Sequence, residues 1–133
     1  MKRESWLPAA PESAAMARAI VREAAVEQGL DGQAVWDLML ATSEAFANAV
    51  QHGTACSSGI GVRVETHDEG VDVEVTDCGR FDADVEAASL DATRGRGIHL
   101  IDAVVDEFEV VPDEHHTRVR FTKRSEVPAR TWR

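Results

Sequence analysis

The chain has 133 residues, 44% of them hydrophobic and 29% charged, which suits one globular domain with its own core. Asp and Glu outnumber Lys and Arg by 24 to 14, giving a formal charge of −10. This acidic balance argues against a general surface for nucleic acid or anionic membrane, because both need clustered cations. It remains compatible with a phosphate ligand, which backbone amides and one or two arginines can bind locally.

No targeting or membrane segment is predicted. The first eight residues include basic side chains but no apolar stretch behind them, so a signal peptide is not expected. No apolar run approaches the roughly 20 residues that a membrane-spanning helix needs. The two cysteines, Cys56 and Cys78, form no metal or redox motif, and free thiols fit a reducing compartment. We therefore expect a cytoplasmic protein.

The first half of the chain predicts a short strand followed by two helices. Residues 3–8 form the predicted strand, and an apolar stripe with a period of 3.6 residues predicts a helix over 11–28 that Gly29 ends. Asp31 is the predicted N-cap of a second helix, which extends to His52. The predicted core contacts of this helix are Trp36, Met39, Leu40 and Phe46.

From residue 60 onward the hydrophobic period changes from 3.6 to 2, which indicates strands. Two hairpins are predicted, with strands around 60–65, 71–76, 108–110 and 119–121, and a third helix over 98–105 lies between them.

The alternation also predicts the architecture, because only one face of each strand is apolar. Helices should therefore cover one side of the sheet and leave the other polar. The expected fold class is a two-layer α+β sandwich with a largely antiparallel, mixed sheet and three helices on one face. The domain is predicted over residues 1–123, and 124–133 is predicted to be a flexible tail.

Three polar positions on the second helix are candidates for chemistry. Glu44, Asn48 and His52 are four residues apart and form one row beside an apolar wall. One interpretation is that these side chains are solvated or bind a neighbouring loop. The other is that Glu44 handles a proton while Asn48 offers its oxygen to a hard cation such as Mg²⁺.

Two glycine-containing segments offer further candidates. Asp77 ends a predicted strand and Gly79 follows, so the carboxylate can accept a hydrogen bond from an amino group such as that of adenine. The alternative is an exposed turn. Gly95 and Gly97 precede the third helix, where free backbone N–H groups can bind anionic oxygens, although such glycines also occur at ordinary helix starts. The neighbouring Arg94 and Arg96 can add charge-assisted hydrogen bonds.

Taken in order, these pieces resemble the ATP-binding motifs of the GHKL ATPase superfamily. Within it they are most similar to the anti-sigma-factor serine kinases of RsbW/SpoIIAB type, and the resemblance covers roughly residues 5–123. The motifs that carry it are Glu44-x-x-x-Asn48-Ala49-x-x-His52-Gly53, Asp77-x-Gly79 and Gly95-Arg96-Gly97-Ile98-x-Leu100-Ile101.

The resemblance implies a Bergerat-type, histidine-kinase-like ATPase fold that binds ATP and Mg²⁺. It implies that Glu44 takes the proton of an attacking serine hydroxyl and that Asn48 ligates Mg²⁺. It assigns the adenine pocket to Asp77, Gly79 and Thr117. The implied phosphate-binding residues are Arg94, Gly95, Arg96, Gly97 and Ile98.

The same resemblance implies partners. The substrate would be a serine of an anti-anti-sigma (STAS) protein, and a sigma factor would be sequestered on the same face, with Arg18 contacting partners. A homodimer is also expected. Two alternatives stay open from the sequence: a non-catalytic binding module whose surface responds to nucleotide, and a structural α+β domain that binds no nucleotide.

Overall fold

The computed structural model describes residues 1–52, 59–77, 94–112 and 116–125, with residues 52 and 94–98 described by their backbone only. Within these ranges five strands and three helices follow one another. They are β1 (Lys2–Leu7), α1 (Ala14–Gln28), α2 (Gly32–His52), β2 (Ile60–His67), β3 (Gly70–Asp77), α3 (Arg94–Val104), β4 (Glu107–Pro112) and β5 (Thr117–Arg124), with a 3-10 turn at Pro11–Ser13 before α1.

The five described strands form one sheet in the order β1-β2-β3-β5-β4. Each neighbouring pair is antiparallel. β3 and β4 point the same way but are not neighbours, because the chain crosses through α3 and the last hairpin places β5 beside β3. The expected parallel component of a mixed sheet is therefore not seen among the described strands.

One face of the sheet is covered by helices. α1 packs on β2 and β3, α2 packs on β3 and β5, and α3 packs on α2 and β4. Strand residues alternate between this covered face and the opposite one, as in the buried row Val71, Val73 and Val75 of β3. This arrangement confirms the predicted two-layer α+β sandwich.

The ends of the first two helices follow the predicted local chemistry. Gly29 adopts the left-handed conformation, with φ at 89°, and its N–H bonds to the last carbonyls of α1. Oδ1 of Asp31 accepts a hydrogen bond of 2.8 Å from the N–H of Ala34, so the predicted N-cap of α2 is confirmed. The predicted first helix differs at its start, because its first three residues form the 3-10 turn.

The core lies between the helices and the sheet, and α2 contributes most of its helical side. The prediction that Trp36 is a core residue is wrong, because its side chain is 62% exposed, whereas Phe46 is fully buried. Small residues let α2 approach its neighbours closely, and Trp36 lies outside their stripe. Met39 is partly buried and packs against the core, as predicted, and Leu40 is also partly buried. The buried residues of α2 are Ala34, Val35, Leu38, Ala41, Thr42, Ala45, Phe46 and Ala49.

The other face of the sheet carries charges that neutralise one another. Glu74 of β3 lies between Arg120 of β5, at 3.0 Å, and Arg63 of β2, at 4.0 Å. Arg120 also reaches Glu109 of β4 at 4.0 Å. Because these residues share one row across four strands, the polar face that the alternation predicts is largely paired within itself.

Two predicted boundaries are corrected near the end of the chain. α3 begins at Arg94 rather than at residue 98, so Gly95 and Gly97 lie inside its first turn and do not form a loop before it. β5 extends through Arg124, and the N–H of Ser125 donates a hydrogen bond of 2.7 Å to the carbonyl of Glu69, so the ordered sheet continues past residue 123. Residues 126–133 of the predicted tail lie outside the described residues.

Candidate functional site

Asn48 is the side chain of α2 that most directly indicates a ligand site. Its amide nitrogen Nδ2 is buried, and no group of the described residues accepts a hydrogen bond from it. Burying such a donor without an acceptor costs about 1–3 kcal/mol. We therefore expect a bound ligand to supply the missing acceptor. An amide there can also turn its oxygen toward a cation.

Glu44 lies one turn before Asn48 on α2 and is half-buried. Positions four apart on a helix share a face, so the carboxylate and the amide point into the same region. The wall beside them is apolar, since Ala45 and Phe46 are fully buried and Ala49 nearly so. The backbone of His52 completes the row at the end of α2.

Asp77 and Thr117 are brought together by the sheet. They lie opposite each other in the register between β3 and β5, and both are buried, with 4% and 8% exposure. Both are in phase with the buried valines of their strands, so both side chains are on the helix-covered face. An acceptor and a hydroxyl therefore stand side by side at the strand ends.

The direction of α2 carries Asn48 toward this strand end. Asp37, near the start of α2, is 3.0 Å from Nζ of Lys123, which lies at the opposite end of β5 from Thr117. The later turns of α2 stay packed on the sheet, because Phe46 belongs to the core. They therefore run from the Lys123 end of β5 toward the end that holds Thr117.

α3 ends where α2 begins. The carbonyl of Val104, its last residue, accepts a hydrogen bond of 2.9 Å from Nζ of the same Lys123 that contacts Asp37. α3 also packs along α2. Its first turn, which contains Gly95 and Gly97, therefore lies toward the later turns of α2, and the N–H groups that have no acceptor within the helix are at that end.

Some predicted site residues fall outside this description. Gly79 lies outside the described residues. Arg94, Gly95, Arg96, Gly97 and Ile98 are placed as the first residues of α3 by their backbone. In the described parts of the chain, no three His, Cys, Asp or Glu side chains cluster in a way that holds a metal ion.

A second feature of the helix layer is a groove between α1 and α2, lined by Arg18, Trp36, Met39, Leu40 and Ser43, with a volume of about 230 Å³. The guanidinium of Arg18 donates a hydrogen bond of 3.1 Å to the hydroxyl of Ser43, the residue before Glu44. Arg18 is a predicted partner contact, whereas Trp36 is predicted in the core. The groove residues of α2 have the spacing 36, 39/40 and 43, which is one helical face, and this spacing is the signal in the sequence.

The histidine kinase-like ATPase domain family matches residues 7–123. The chain belongs to this family. Among curated relatives, the serine-protein kinase RsbW of Listeria innocua is 30% identical in a 122-residue alignment that covers 81% of this chain and 78% of the relative. Serine-protein kinase RsbW of Listeria monocytogenes is 29% identical over the same shares of both chains.

A solved structure is also similar to this histidine kinase-like ATPase domain. It is the crystal structure of the RsbU and RsbW domains of a Mycobacterium tuberculosis protein, with a TM-score of 0.74 and 28% sequence identity. The match covers 93% of this chain and 32% of the other. These findings confirm the histidine-kinase-like fold and the RsbW-like resemblance predicted from the motifs.

The donor set of this histidine kinase-like ATPase domain fits the nucleotide that its family binds. The buried amide of Asn48 lacks a partner among the described residues, and a phosphate oxygen or a metal-bound oxygen supplies one. Within the described residues, no helix is long and apolar enough to cross a bilayer.

Proposed function

We propose that this chain is an ATP- and Mg²⁺-dependent protein serine kinase that acts as an anti-sigma factor. The observation that carries the proposal is the buried Nδ2 of Asn48, which has no acceptor among the residues that the structure describes and lies one turn from Glu44 on the same helix. The names of the Listeria relatives, both serine-protein kinases, support the choice of a serine as phosphate acceptor.

In the proposed complex the nucleotide spans the end of the sheet and the two helices that run to it. Asp77 accepts a hydrogen bond from the adenine amino group, while Thr117 and Gly79 line the base. The backbone at Gly95 and Gly97 binds the phosphates, with Arg94, Arg96 and Ile98 completing this side of the site. The N-terminal position of these residues on α3 supports the assignment, because free N–H groups and the helix dipole both favour an anion.

The oxygen of Asn48 is the proposed protein ligand of Mg²⁺, with phosphate oxygens and waters as the others, a common arrangement for this ion. When bound, Mg²⁺ would neutralise part of the negative charge of the phosphates. Glu44 holds the substrate serine hydroxyl and accepts its proton. The serine oxygen becomes bonded to the terminal phosphorus, the bond between that phosphorus and ADP breaks, and the displaced ADP leaves.

The proposed protein substrate is a serine of an anti-anti-sigma (STAS) protein, and the proposed sequestered partner is a sigma factor. The groove at Arg18 supports a docking role because Ser43, which Arg18 contacts, precedes Glu44. A partner seated there would be held beside the proposed base. The exposed side chain of Trp36 supplies an apolar anchor of the kind found at binding interfaces.

A second candidate function is a non-catalytic module that sequesters a sigma factor or a STAS protein. The same groove favours it, because its described lining contains no residue assigned to proton or phosphate transfer.

The substitution Glu44→Gln separates the two functions. It keeps the side-chain size and removes the base, so a kinase should lose phosphoserine formation by about 100-fold or more. Partner binding should stay intact. Mass spectrometry of the STAS partner after incubation with ATP and Mg²⁺ gives the first readout, and calorimetry gives the second.

Glu109→Gln is the matched control, because Glu109 is an exposed glutamate on the far face of the sheet. Wild-type protein that binds its partner and ATP but transfers no phosphate would support the sequestering module and exclude the kinase. Equal transfer by wild type and Glu44→Gln would exclude the role of Glu44.

A homodimer and a cytoplasmic location complete the proposal. β1 pairs only with β2 in the described sheet, so one edge carries unpaired backbone groups that can bind another chain. Analytical ultracentrifugation at micromolar concentration tests the dimer, and a single monomeric species would exclude it. Fractionation of producing cells tests the location.

A further inference from the structure

Lys123 is a cation on the helix-covered side of β5, at the end remote from Thr117. Its Nζ lies 3.0 Å from the carboxylate of Asp37 on α2 and donates a hydrogen bond of 2.9 Å to the carbonyl of Val104 on α3. The side chains of Lys123 and Asp37 are 13% and 14% exposed. One ammonium group thus connects a strand and both helices of the proposed nucleotide site.

The contact belongs to a wider attachment of the last turn of α3 to the end of β5. The N–H of Asp106 donates to the carbonyl of Thr122 at 2.9 Å, and the N–H of Arg124 donates to the carboxylate of Asp106 at 2.6 Å. The Lys123 ammonium also stands at the negative end of the α3 dipole, where a cation is favourable. α3 is therefore held firmly at its C-terminal end.

A partly buried ion pair contributes little net stability. The free energy needed to remove both charges from water offsets much of their attraction, and apolar side chains of equal volume often stabilise a fold equally well. The charged pair differs from an apolar pair in its directionality, because it fixes the distance between Asp37 and Val104 through one ammonium group. A residue that positions one helix relative to another must fix the distance between them in this way.

The geometry of α3 makes its far end sensitive to this attachment. Its 11 residues span about 16 Å, and the fully buried Ile101 lies three residues from Val104 and seven from Arg94. If α3 tilts about Ile101, a displacement of its last turn is roughly doubled at its first turn. The first turn is where Gly95 and Gly97 lie.

We propose that Lys123 is a positioning residue for nucleotide binding: by tying the C-terminal end of α3 to Asp37, it sets the distance between the first turn of α3 and the Glu44–Asn48 face of α2. Lys123 does not touch the nucleotide, because it lies six residue steps along β5 from Thr117, about 20 Å. This role rests on the proposed nucleotide-binding function. Lys123 itself lies outside the nucleotide site and acts on it through α3.

The test is Lys123→Met, which keeps the length of the side chain and removes the charge. We expect calorimetry to show a dissociation constant for a non-hydrolysable ATP analogue raised between about twofold and thirtyfold, the range that coupled positions produce. In the kinase assay KM for ATP should rise more than kcat falls, because the defect is in binding geometry. Lys123→Arg should restore most of the affinity, since a guanidinium also reaches a carboxylate and a carbonyl.

Two controls separate positioning from general loss of stability. Arg120→Met removes a cation from the same strand on the opposite face, where it pairs with Glu74, and should leave nucleotide affinity unchanged. Val73→Ala destabilises the core at β3, on which α1 and α2 pack, and should also leave nucleotide affinity unchanged well below the melting temperature of the variant. Hydrogen exchange of the free protein gives an independent readout, with faster exchange expected along α3 in Lys123→Met than in Val73→Ala.

The outcomes are distinguishable. Unchanged analogue affinity in Lys123→Met, beside a wild type that binds, overturns the positioning role and leaves the proposed function standing. Equal loss in Val73→Ala also overturns it, because stability alone would then explain the effect. A folded wild type that binds no nucleotide overturns the proposed function and this inference together. If Lys123→Met does not fold, Asp37→Asn replaces it, with a smaller loss of affinity expected and an unchanged affinity again overturning the role.

Discussion

Asp77 and Thr117 face each other across β3 and β5 as the final pair of their register, and both side chains are buried under the helix layer. They continue the apolar rows of Val75 and Val119, so a carboxylate takes the place where a hydrophobic residue would otherwise continue the core. A carboxylate at this depth requires hydrogen bonds. An adenine amino group is the donor that we expect the nucleotide to add.

Asp77→Asn should therefore weaken ATP binding by about tenfold or more, because a charge-assisted hydrogen bond contributes roughly 1.5–3 kcal/mol. Isothermal titration with ATP and with GTP measures the effect, and the preference for ATP should shrink. Asp72→Asn is the control on the same strand, since its side chain bonds to Thr122 away from the helices. Tight, adenine-selective binding by Asp77→Asn would exclude the assignment.

Trp36 should matter for partners and little for folding. Its side chain is 62% exposed on the α1–α2 groove, so Trp36→Ala should change the free energy of unfolding by no more than about 0.5 kcal/mol. Affinity for the STAS protein or sigma factor should fall by about 30-fold or more if the indole is a binding hot spot. Surface plasmon resonance with the cognate partner measures this, and undiminished affinity would place the docking surface elsewhere.

Trp6 should show the opposite behaviour. Its indole covers Gly61 on the neighbouring strand, with ring carbons 3.0–3.2 Å from the position of an added Cβ. Trp6→Ala should lower the free energy of unfolding by about 1 kcal/mol, because this cross-strand contact helps to hold the edge strand β1. Urea denaturation compares it with Trp36→Ala, and a reversed order of the two midpoints would contradict both interpretations.

The cap of α2 provides a stability test that does not depend on function. Asp31→Ala removes the acceptor of the Ala34 N–H and should cost about 1 kcal/mol. Asp31→Asn should retain most of the stability, since a carboxamide oxygen also caps. Thermal unfolding of both variants measures the difference, and equal losses would show that the side-chain oxygen is not the stabilising group.

Local signals explain which parts of the fold were predicted. Gly29 and Asp31 end and begin helices through backbone conformation and a bond to a residue three positions away, so the neighbouring sequence contains all that is needed. Trp36 was misassigned because an apolar residue on an amphipathic helix can face the core or a groove at its edge. Only the packing of α1 against α2 distinguishes the two.

For the candidate site, too, some features follow from the sequence and others only from the tertiary structure. The sequence alone determined the residue types and their order: a carboxylate and an amide one turn apart, an aspartate at a strand end, and glycines at a helix start. Only the tertiary structure decided that Thr117 faces Asp77, that Asn48 Nδ2 is buried with no acceptor in the described part of the chain, and that Lys123 joins α2 to α3. The physical reason is that helix periodicity and strand alternation act over a few residues, whereas these relationships depend on strand order and on the direction in which each helix crosses the sheet.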